Sequence, residues 1–218
     1  ATVGFNLKNK GLIEDVKVAG SVTGNNDVAG IVNKIDEDGK IENVAFIGKI
    51  NSVGNNSTVG GIAGSNYMGF VNRAYVDATI TAQNANASML VPFVTYMLNS
   101  WKSGTKAKVT NSVAKGVLDV KNTRNVGGIV AKTWPYGAVQ NNVTYAKVIK
   151  GQEIFASNDV NDEDGGPYIK DLFGVVGYSS AEDGTGKDTK SPNKLKHLTK
   201  EEADKRVEGY NITADTFV

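Results

Sequence analysis

The sequence lacks cysteine and has a single histidine, His197, among its 218 residues. Without cysteine the chain cannot form disulfide bonds, thiolate zinc sites or a cysteine nucleophile. One histidine cannot supply the H-E-x-x-H motif, in which two histidines on one helix face bind zinc. We interpret His197 as a solvated residue before a helix.

An excess of charge and a long apolar run are also missing. The 24 Lys and Arg and the 23 Asp and Glu leave a formal net charge of +1, whereas nucleic-acid-binding domains carry a clustered positive excess. No apolar run reaches the roughly 18 residues that a membrane-spanning helix needs. We therefore expect neither a nucleic-acid partner nor a membrane span.

Proline is scarce and glycine abundant. The 4 prolines and 25 glycines compare with typical shares of about 5% and about 7%, and 23 asparagines and 27 valines accompany them. This composition is typical of β-strands joined by tight turns.

An internal repeat extends over the first 176 residues. Gly11–Val22 and Gly39–Ile50 match at most positions when conservative changes are allowed, and weaker copies begin at Gly69, Ala107 and Gly137. The first apolar residues of the five copies are 28, 30, 38 and 30 positions apart, which is the range of one solenoid coil. Apolar residues alternate within each copy, so the copies are predicted strands with one buried face.

Equivalent positions of the copies form columns that we expect to stack in successive coils. The first column is β-branched, the second aliphatic, the third small and the fourth mostly Asn or Asp, which tolerate left-handed backbone and bond to neighbouring amides. In order, the columns are Ile13, Ile41, Val71, Val109 and Val139; Val22, Ile50, Ile80, Leu118 and Val148; Gly20, Gly48, Ala78, Gly116 and Ala146; and Asp15, Asn43, Arg73, Asn111 and Asn141. The proposed second halves of the copies are Val28–Val32, Val59–Ala63, Leu90–Val94, Val126–Val130 and Leu172–Val176.

These patterns predict an all-β fold, a parallel β-helix-like solenoid of about five coils with a short C-terminal helical tail. The solenoid would cover residues 1–178, a linker rich in Gly, Ser, Asp and Lys residues 179–193, and a tail or connection to a next domain residues 194–218. Thr199–Glu202 resembles a capping box that opens a helix running to about Val207 and ending at Gly209. Thr2–Phe5 fits a second half, so we expect another coil or domain before Ala1.

Departures from the repeat are the expected partner-contact positions, because insertions project from a coil. Tyr96 and Trp101 lie in a long segment after the third copy, Trp134 and Tyr136 lie before the fifth, and Asp162 and Asp164 lie in an acidic insertion, residues 159–165. Burial of the aromatic residues under an inserted segment is an equally good interpretation. The acidic insertion lacks the spacing of a calcium loop, and we interpret it as a solvated loop.

No catalytic, cofactor-binding or metal-binding residue is predicted in this segment. Glu14 and Glu42 would stack in neighbouring coils, as the paired carboxylates of a sugar-cleaving β-helix could. The next copies carry Asn72, Thr110 and Gln140 at that position, which favours a polar turn column instead.

Gly39–Gly48 followed by Val59–Ala63 resembles the GLUG-type repeats of the non-catalytic region of Gram-positive IgA-specific zinc metallopeptidases and their paralogues. Lys194–Ala203 resembles the connection from that region toward the peptidase. The resemblance implies a secreted, cell-wall-associated parent chain whose zinc is held in a separate catalytic domain. It also implies two partners for this segment, the immunoglobulin A heavy chain and the protease domain of the same chain.

The resulting functional hypothesis is a rigid, non-catalytic module that positions the protease and contacts its immunoglobulin substrate. A stand-alone surface adhesin module that binds host glycoprotein or polysaccharide is the first alternative. A polysaccharide-cleaving β-helix enzyme is the second.

Overall fold

The structure, a computed structural model, describes residues 3–7, 10–36, 38–94, 107–133, 137–151, 154–158, 168–179 and 196–212. These residues form a parallel β-solenoid of about four turns with one short helix near the C-terminus, which confirms the predicted fold class. Each coil contributes strands to two parallel sheets. We call the position of one coil in the stack a level; the five predicted copies occupy five successive levels, which about four turns connect.

The six-stranded sheet collects the second halves of the coils. Its strands in spatial order are β1 (Val3–Leu7), β4 (Val32–Ile35), β6 (Ala63–Asn66), β8 (Phe93–Val94), β11 (Val130–Thr133) and β14 (Phe155–Asn158). The ten-stranded sheet collects the first halves and the bends that follow them. Its strands in chain order are β2 (Leu12–Gly24), β3 (Val28–Ala29), β5 (Lys40–Gly60), β7 (Phe70–Ser88), β9 (Lys108–Thr110), β10 (Val113–Gly127), β12 (Ala138–Thr144), β13 (Lys147–Val148), β15 (Tyr168–Val175) and β16 (Lys196–Leu198).

The first two predicted columns stack as expected. Ile13 pairs with Ile41, Ile41 with Val71, Val71 with Val109 and Val109 with Val139. The second column is continuous in the same way from Val22 through Ile50, Ile80 and Leu118 to Val148. From the second coil onward these side chains are almost fully buried, whereas Ile13 and Val22 in the first coil are only partly buried. Each fully buried aliphatic side chain contributes about 1.5–3 kcal/mol of transfer free energy.

The column of small residues marks a bend where successive coils approach closely. Gly20, Gly48 and Gly116 have φ values of 147°, 145° and 103°, a region that side chains other than glycine rarely adopt. A Cβ atom on Gly48 would lie 1.9 Å from the carbonyl oxygen of Gly20. Both the backbone conformation and the available space therefore favour glycine here.

One of the predicted second halves, Leu90–Val94, is wrong in register. Val59 pairs with Ala87 rather than Leu90, so Leu90–Val94 is displaced by three residues. The amide of Ile62 donates to the carbonyl oxygen of Leu90 at 3.0 Å. These two residues therefore face each other in neighbouring coils. Matching the copies by side-chain size selected Leu90, whereas the position of the bend sets the register.

Leu172–Val176 is not the second half of the fifth coil. It lies largely in β15, where Leu172 pairs with Asn142 of the ten-stranded sheet and Ile169 continues the first column beyond Val139. The second half of the fifth coil is β14, which lies between Val148 and Leu172, immediately before the acidic insertion.

The predicted C-terminal helix is confirmed as α1 (Lys200–Glu208), followed by Gly209. The amide of Glu202 donates to the Thr199 hydroxyl at 3.2 Å, and the Thr199 amide donates to the Glu202 carboxylate at 2.9 Å. This reciprocal capping box satisfies amides that would otherwise lack partners at the helix start. Exposed His197 precedes the helix in β16. The predicted linker lies outside the described residues from position 180 onward.

Candidate functional site

The fourth column forms a ladder of left-handed residues along one side of the solenoid. The backbone cost is small for Asn and Asp, because their short side chains bond locally, and larger for other residues. The φ angles are 53° at Asp15, 52° at Asn43, 55° at Arg73, 50° at Asn111 and 55° at Asn141, and 52° at Asp171, which continues the column beyond the predicted copies.

Side-chain amides connect neighbouring members of this ladder. Asn43 Nδ2 donates to Asp15 Oδ1, and Asn141 Nδ2 donates to Asn111 Oδ1 at 2.6 Å. The predicted hydrogen bonding between coils is therefore confirmed for these pairs.

The column next to the ladder is polar as well. Asn72 Nδ2 lies 2.9 Å from each carboxylate oxygen of Glu42, while Asn72 Oδ1 accepts from Thr110 Oγ1 at 2.9 Å and from Asn111 Nδ2 at 2.7 Å. Glu14 and Glu42 pair as expected. The Glu42 carboxylate thus belongs to the hydrogen-bonding network between coils.

Arg73, the one member of the column that is neither Asn nor Asp, has a different role. Its Nε atom donates to the carbonyl oxygen of Tyr210 at 3.2 Å, and Nη2 donates to the carbonyl oxygen of Asn211 at 3.2 Å. Nη2 also lies 3.3 Å from Asn43 Oδ1. The guanidinium therefore joins the ladder to the segment that follows α1.

An apolar stripe on the outer face of the ten-stranded sheet receives α1. The stripe runs along paired positions Ala45, Tyr75, Val113, Val143 and Phe173, and all five residues are buried. They form one cluster with the four residues Ala203, Val207, Tyr210 and Ile212 from the helix and the residues after it. The segment 200–212 therefore covers the outer face, as a parallel sheet with two apolar faces requires.

Polar contacts surround this apolar interface. Asn141 Oδ1 accepts from Arg206 Nη1 and from the Tyr210 hydroxyl, each at 2.9 Å, and the Arg206 guanidinium lies 4.1 Å from the centre of the Phe173 ring. The Tyr145 hydroxyl donates to Asp204 Oδ1 at 2.8 Å. We call the contacts of Arg73, Asn141 and Tyr145 with residues 204–211 the helix clamp.

The clamp shifts the protonation of its own groups. Hydrogen bonds from Lys200 and then Tyr145 lower the pKa of Asp204. Burial, followed by the nearby Asp204 carboxylate, raises the pKa of Tyr145. Burial also raises the pKa of Tyr210 to about 12. Both phenols therefore stay neutral to a higher pH than an ordinary tyrosine does.

A groove of about 760 Å³ lies between α1 and the ladder. Its lining includes three cationic side chains, from Arg73, Lys205 and Arg206, and one carboxylate, from Glu202. Arg73 and Arg206 are already bonded within the clamp. The residues that line the groove therefore mainly hold the helix against the solenoid.

The predicted partner-contact residues Tyr96, Trp101, Trp134, Tyr136, Asp162 and Asp164 all lie outside the described residues. The strands that precede them are described, and they end together. Val94, the last residue of β8, pairs with Thr133, the last of β11, which pairs with Asn158, the last of β14. The three strand ends that precede these segments in the sequence are therefore adjacent on one edge of the six-stranded sheet.

The docking of α1 and the role of Arg73 were not predicted from the sequence. The signal for the docking was present, because Val44–Ile47 is apolar at consecutive positions rather than at alternating ones. No comparable signal identifies Arg73.

Within the described ranges, no group of three or more His, Cys, Asp or Glu residues is arranged to hold a metal ion. The part of the chain that the structure covers also has no helix long and apolar enough to span a membrane.

Comparison with known proteins finds two relatives, both from Streptococcus pneumoniae. Zinc metalloprotease ZmpB is 51% identical over 218 residues, which is 99% of this chain and 11% of the relative. Zinc metalloprotease ZmpC is 32% identical over 164 residues, which is 71% of this chain and 8% of the relative. The chain thus spans about a tenth of the length of the curated relatives it matches. No protein-family model and no solved structure matches it.

Proposed function

We propose that this chain is a rigid, non-catalytic module of a secreted, cell-wall-associated zinc metalloendopeptidase that acts on immunoglobulin A. In this role it positions the protease domain of the same chain and contacts the immunoglobulin heavy chain. The similarity to short segments of two streptococcal zinc metalloproteases supports the assignment to such an enzyme, and the GLUG-like repeats support the immunoglobulin substrate.

The observation that carries the positioning role is the helix clamp. Arg73 bonds to two carbonyl groups after α1, and Asn141 accepts from Arg206 and Tyr210. Because residues 204–211 are fixed on the solenoid, any domain that follows residue 212 in the parent chain would begin at a fixed position on the side of the solenoid. The orientation of a neighbouring protease domain would then depend on the solenoid rather than on a free linker.

The edge where β8, β11 and β14 end is the proposed substrate-contact surface. The strand ends there are paired, and in the sequence they are followed by three segments that contain Trp101, Trp134 and Asp162. Aromatic side chains commonly supply most of the energy of a protein–protein contact. A contact on this edge would raise the concentration of the substrate near the active site, by the same effect that makes tandem binding modules stronger than single ones.

Zinc would supply Lewis-acid chemistry in the separate catalytic domain. The one histidine of this chain, His197, has neither the second histidine nor the glutamate of a zinc motif around it. The residues present therefore do not fit a catalytic zinc, and the chain's role in the reaction is one of binding and orientation.

The test compares the complete protease with a form that lacks residues 1–178. We expect the deletion to lower kcat/KM for intact immunoglobulin A by tenfold or more, because modules that bind in tandem gain about 10²–10⁴ in avidity. Hydrolysis of a short peptide that contains the cleaved bond should change little. Equal cleavage of immunoglobulin A by both forms would refute the positioning role.

A double substitution separates contact from positioning. In the complete protease, Trp101→Ala with Trp134→Ala should raise KM for immunoglobulin A, while the exposed Lys49→Ala serves as the matched control. An unchanged KM would remove these residues from the contact surface. Binding of the chain to other host glycoproteins but not to immunoglobulin A would favour an adhesin instead.

A further inference from the structure

The ten-stranded sheet ends at β2, a strand of 13 residues that in the described part of the chain pairs on one side only, with β5. The core-facing residues of β2 are only partly buried. Their paired residues in β5 are at most 1% exposed. The pairs are Ile13 with Ile41, Val16 with Val44, Val18 with Phe46, and Val22 with Ile50. This end of the core is therefore incompletely covered.

The two sheets do not end at the same level. β4 belongs to the same coil as β2, and β1 pairs with β4 beyond it, with Val3 opposite Val32. The six-stranded sheet thus extends one strand farther than the ten-stranded sheet. At the level of β1 the ten-stranded sheet has no strand among the described residues. The empty strand position lies next to the free edge of β2.

The offset argues against a second copy of this chain as the occupant. If two copies met end to end through β1, their β2 strands would lie three strand spacings apart, about 14 Å at about 4.8 Å per spacing. Two strand positions would remain empty between them. A single added strand, in contrast, makes the two sheets end at the same level.

We propose that one strand, parallel to β2, fills this position and that it comes from the polypeptide that precedes this chain in the longer protein. The inference rests on the proposed function to the extent that the chain is a module of a longer protein. In every coil the strand in the ten-stranded sheet comes before its partner in the six-stranded sheet, as β2 comes before β4 and β5 before β6. The strand at the level of β1 must therefore precede Val3.

The chemistry of the edge defines the added strand. An aliphatic residue belongs over Ile13 and another over Val22, as in the columns below them. A side-chain donor such as Asn belongs over Asp15, because a carboxylate can only accept and Asp15 already accepts from Asn43 on its other side. The residue over Gly20 must leave room at the bend.

Gly20 reports directly on whether the position is filled. A Cβ atom on Gly20 would meet no atom within 4 Å, whereas a Cβ atom on Gly48 would lie 1.9 Å from the carbonyl oxygen of Gly20. The φ values are nearly equal, 147° and 145°, so the backbone strain of an alanine is the same at both sites. The two glycines differ only in the presence of a preceding coil.

The experiment compares the 218-residue chain with a chain extended by the roughly 30 residues that precede Ala1 in the longer protein, one repeat of the solenoid. In the shorter chain, Gly48→Ala should lower the folding equilibrium constant at least tenfold more than Gly20→Ala. In the extended chain the two substitutions should have equal effects, because Gly20 then also has a coil against it.

Hydrogen exchange provides a second measurement that does not depend on either variant folding. The amides of β2 should exchange at least tenfold more slowly in the extended chain, while those of β7 remain unchanged. Unchanged exchange in β2 would overturn the proposal, and so would protection that rises with the concentration of the shorter chain, since this would identify a second copy. None of these outcomes depends on cleavage of immunoglobulin A, so failure here is distinct from failure of the proposed function.

Discussion

Replacing Arg73 with asparagine should weaken the docking of α1 on the solenoid without unfolding the solenoid itself. Asparagine occupies the equivalent position at Asn43, Asn111 and Asn141, and it tolerates the left-handed backbone that Arg73 adopts at φ 55°. The Arg73→Asn substitution therefore removes the clamp contacts of Arg73 alone while it preserves, or relieves, the backbone conformation. Any loss of helix docking can then be assigned to the guanidinium.

The size of the effect follows from the bonds that are lost. Arg73 donates to the carbonyl groups of Tyr210 and Asn211, each at 3.2 Å. A hydrogen bond from a charged donor contributes about 1.5–3 kcal/mol when it is shielded. The Arg73 side chain is 34% exposed, so water replaces part of each hydrogen bond. We expect the two bonds together to contribute about 2 kcal/mol to the docking free energy. This corresponds to an increase of about thirtyfold in the opening equilibrium of the segment.

Hydrogen exchange measured by mass spectrometry resolves this local opening. Amides of residues 203–212 should exchange about thirtyfold faster in Arg73→Asn, whereas β5 and β7 should keep their protection. Lys49→Asn removes an exposed cation from β5 without touching the clamp and serves as the control. Equal exchange of α1 in Arg73→Asn and in the unaltered chain would refute the role assigned to Arg73, and loss of protection throughout the solenoid would show that clamp and core are one cooperative unit.

The other predictions concern the core and the pH dependence of the clamp. Ile80→Ala, at a fully buried position of the second column, should lower the free energy of unfolding by about 2–5 kcal/mol in urea titrations. Asn142→Ala leaves two buried backbone groups without their partner and should cost about 2–4 kcal/mol in the same assay. The pKa of Tyr210, raised to about 12, means that its contribution to docking is complete below pH 10 and is lost as the pH rises through 12, which alkaline titration of phenolate absorbance together with α1 helicity by circular dichroism would detect. The pKa of Asp204 is lowered first by Lys200 of the same helix and then by Tyr145 of the solenoid. The Tyr145 contribution to docking is complete above the ordinary aspartate pKa and is lost as the pH falls below it, and Asp204→Asn should abolish this acid dependence of α1 exchange.

The two core substitutions each have a matched control. Val53 is 52% exposed, so Val53→Ala should change stability by no more than about 0.5 kcal/mol. Asn51 bonds at the exposed surface, and Asn51→Ala should likewise cost far less than Asn142→Ala. If either control is as destabilising as its buried counterpart, burial does not explain the difference. For Tyr210, unfolding of the whole solenoid between pH 10 and 12, rather than release of α1, would contradict the local assignment.

The stacked columns could be predicted because a solenoid repeats its chemistry at each level. Ile13 and Val139 are 126 positions apart in the sequence, yet both occupy the same place in a coil and therefore carry the same type of side chain. The left-handed ladder was predictable for the same reason, since few residues other than Asn and Asp tolerate that backbone conformation without cost.

Register within the less regular halves could not be predicted from residue type. Leu90 resembles Val59 in size, but the chain pairs Ala87 with Val59, because the place where the coil bends decides which residues meet. The fifth second half was hidden in the same way, since β14 reads Phe-Ala-Ser-Asn and lacks the aliphatic pattern of the other copies.

The docking of α1 could have been predicted from a strand in which apolar and polar residues do not alternate. A strand with one buried face alternates apolar and polar residues, but β5 carries Val44, Ala45, Phe46 and Ile47 in succession. Val44 and Phe46 point into the solenoid core, while Ala45 belongs to the outer cluster with the helix and Ile47 packs against it. Consecutive apolar residues in a solenoid strand therefore predict a second layer outside the coil. Polar residues at the paired outer positions would have indicated that α1 had no surface on which to dock, and the rigid connection on which the proposed positioning of the protease depends would then be absent.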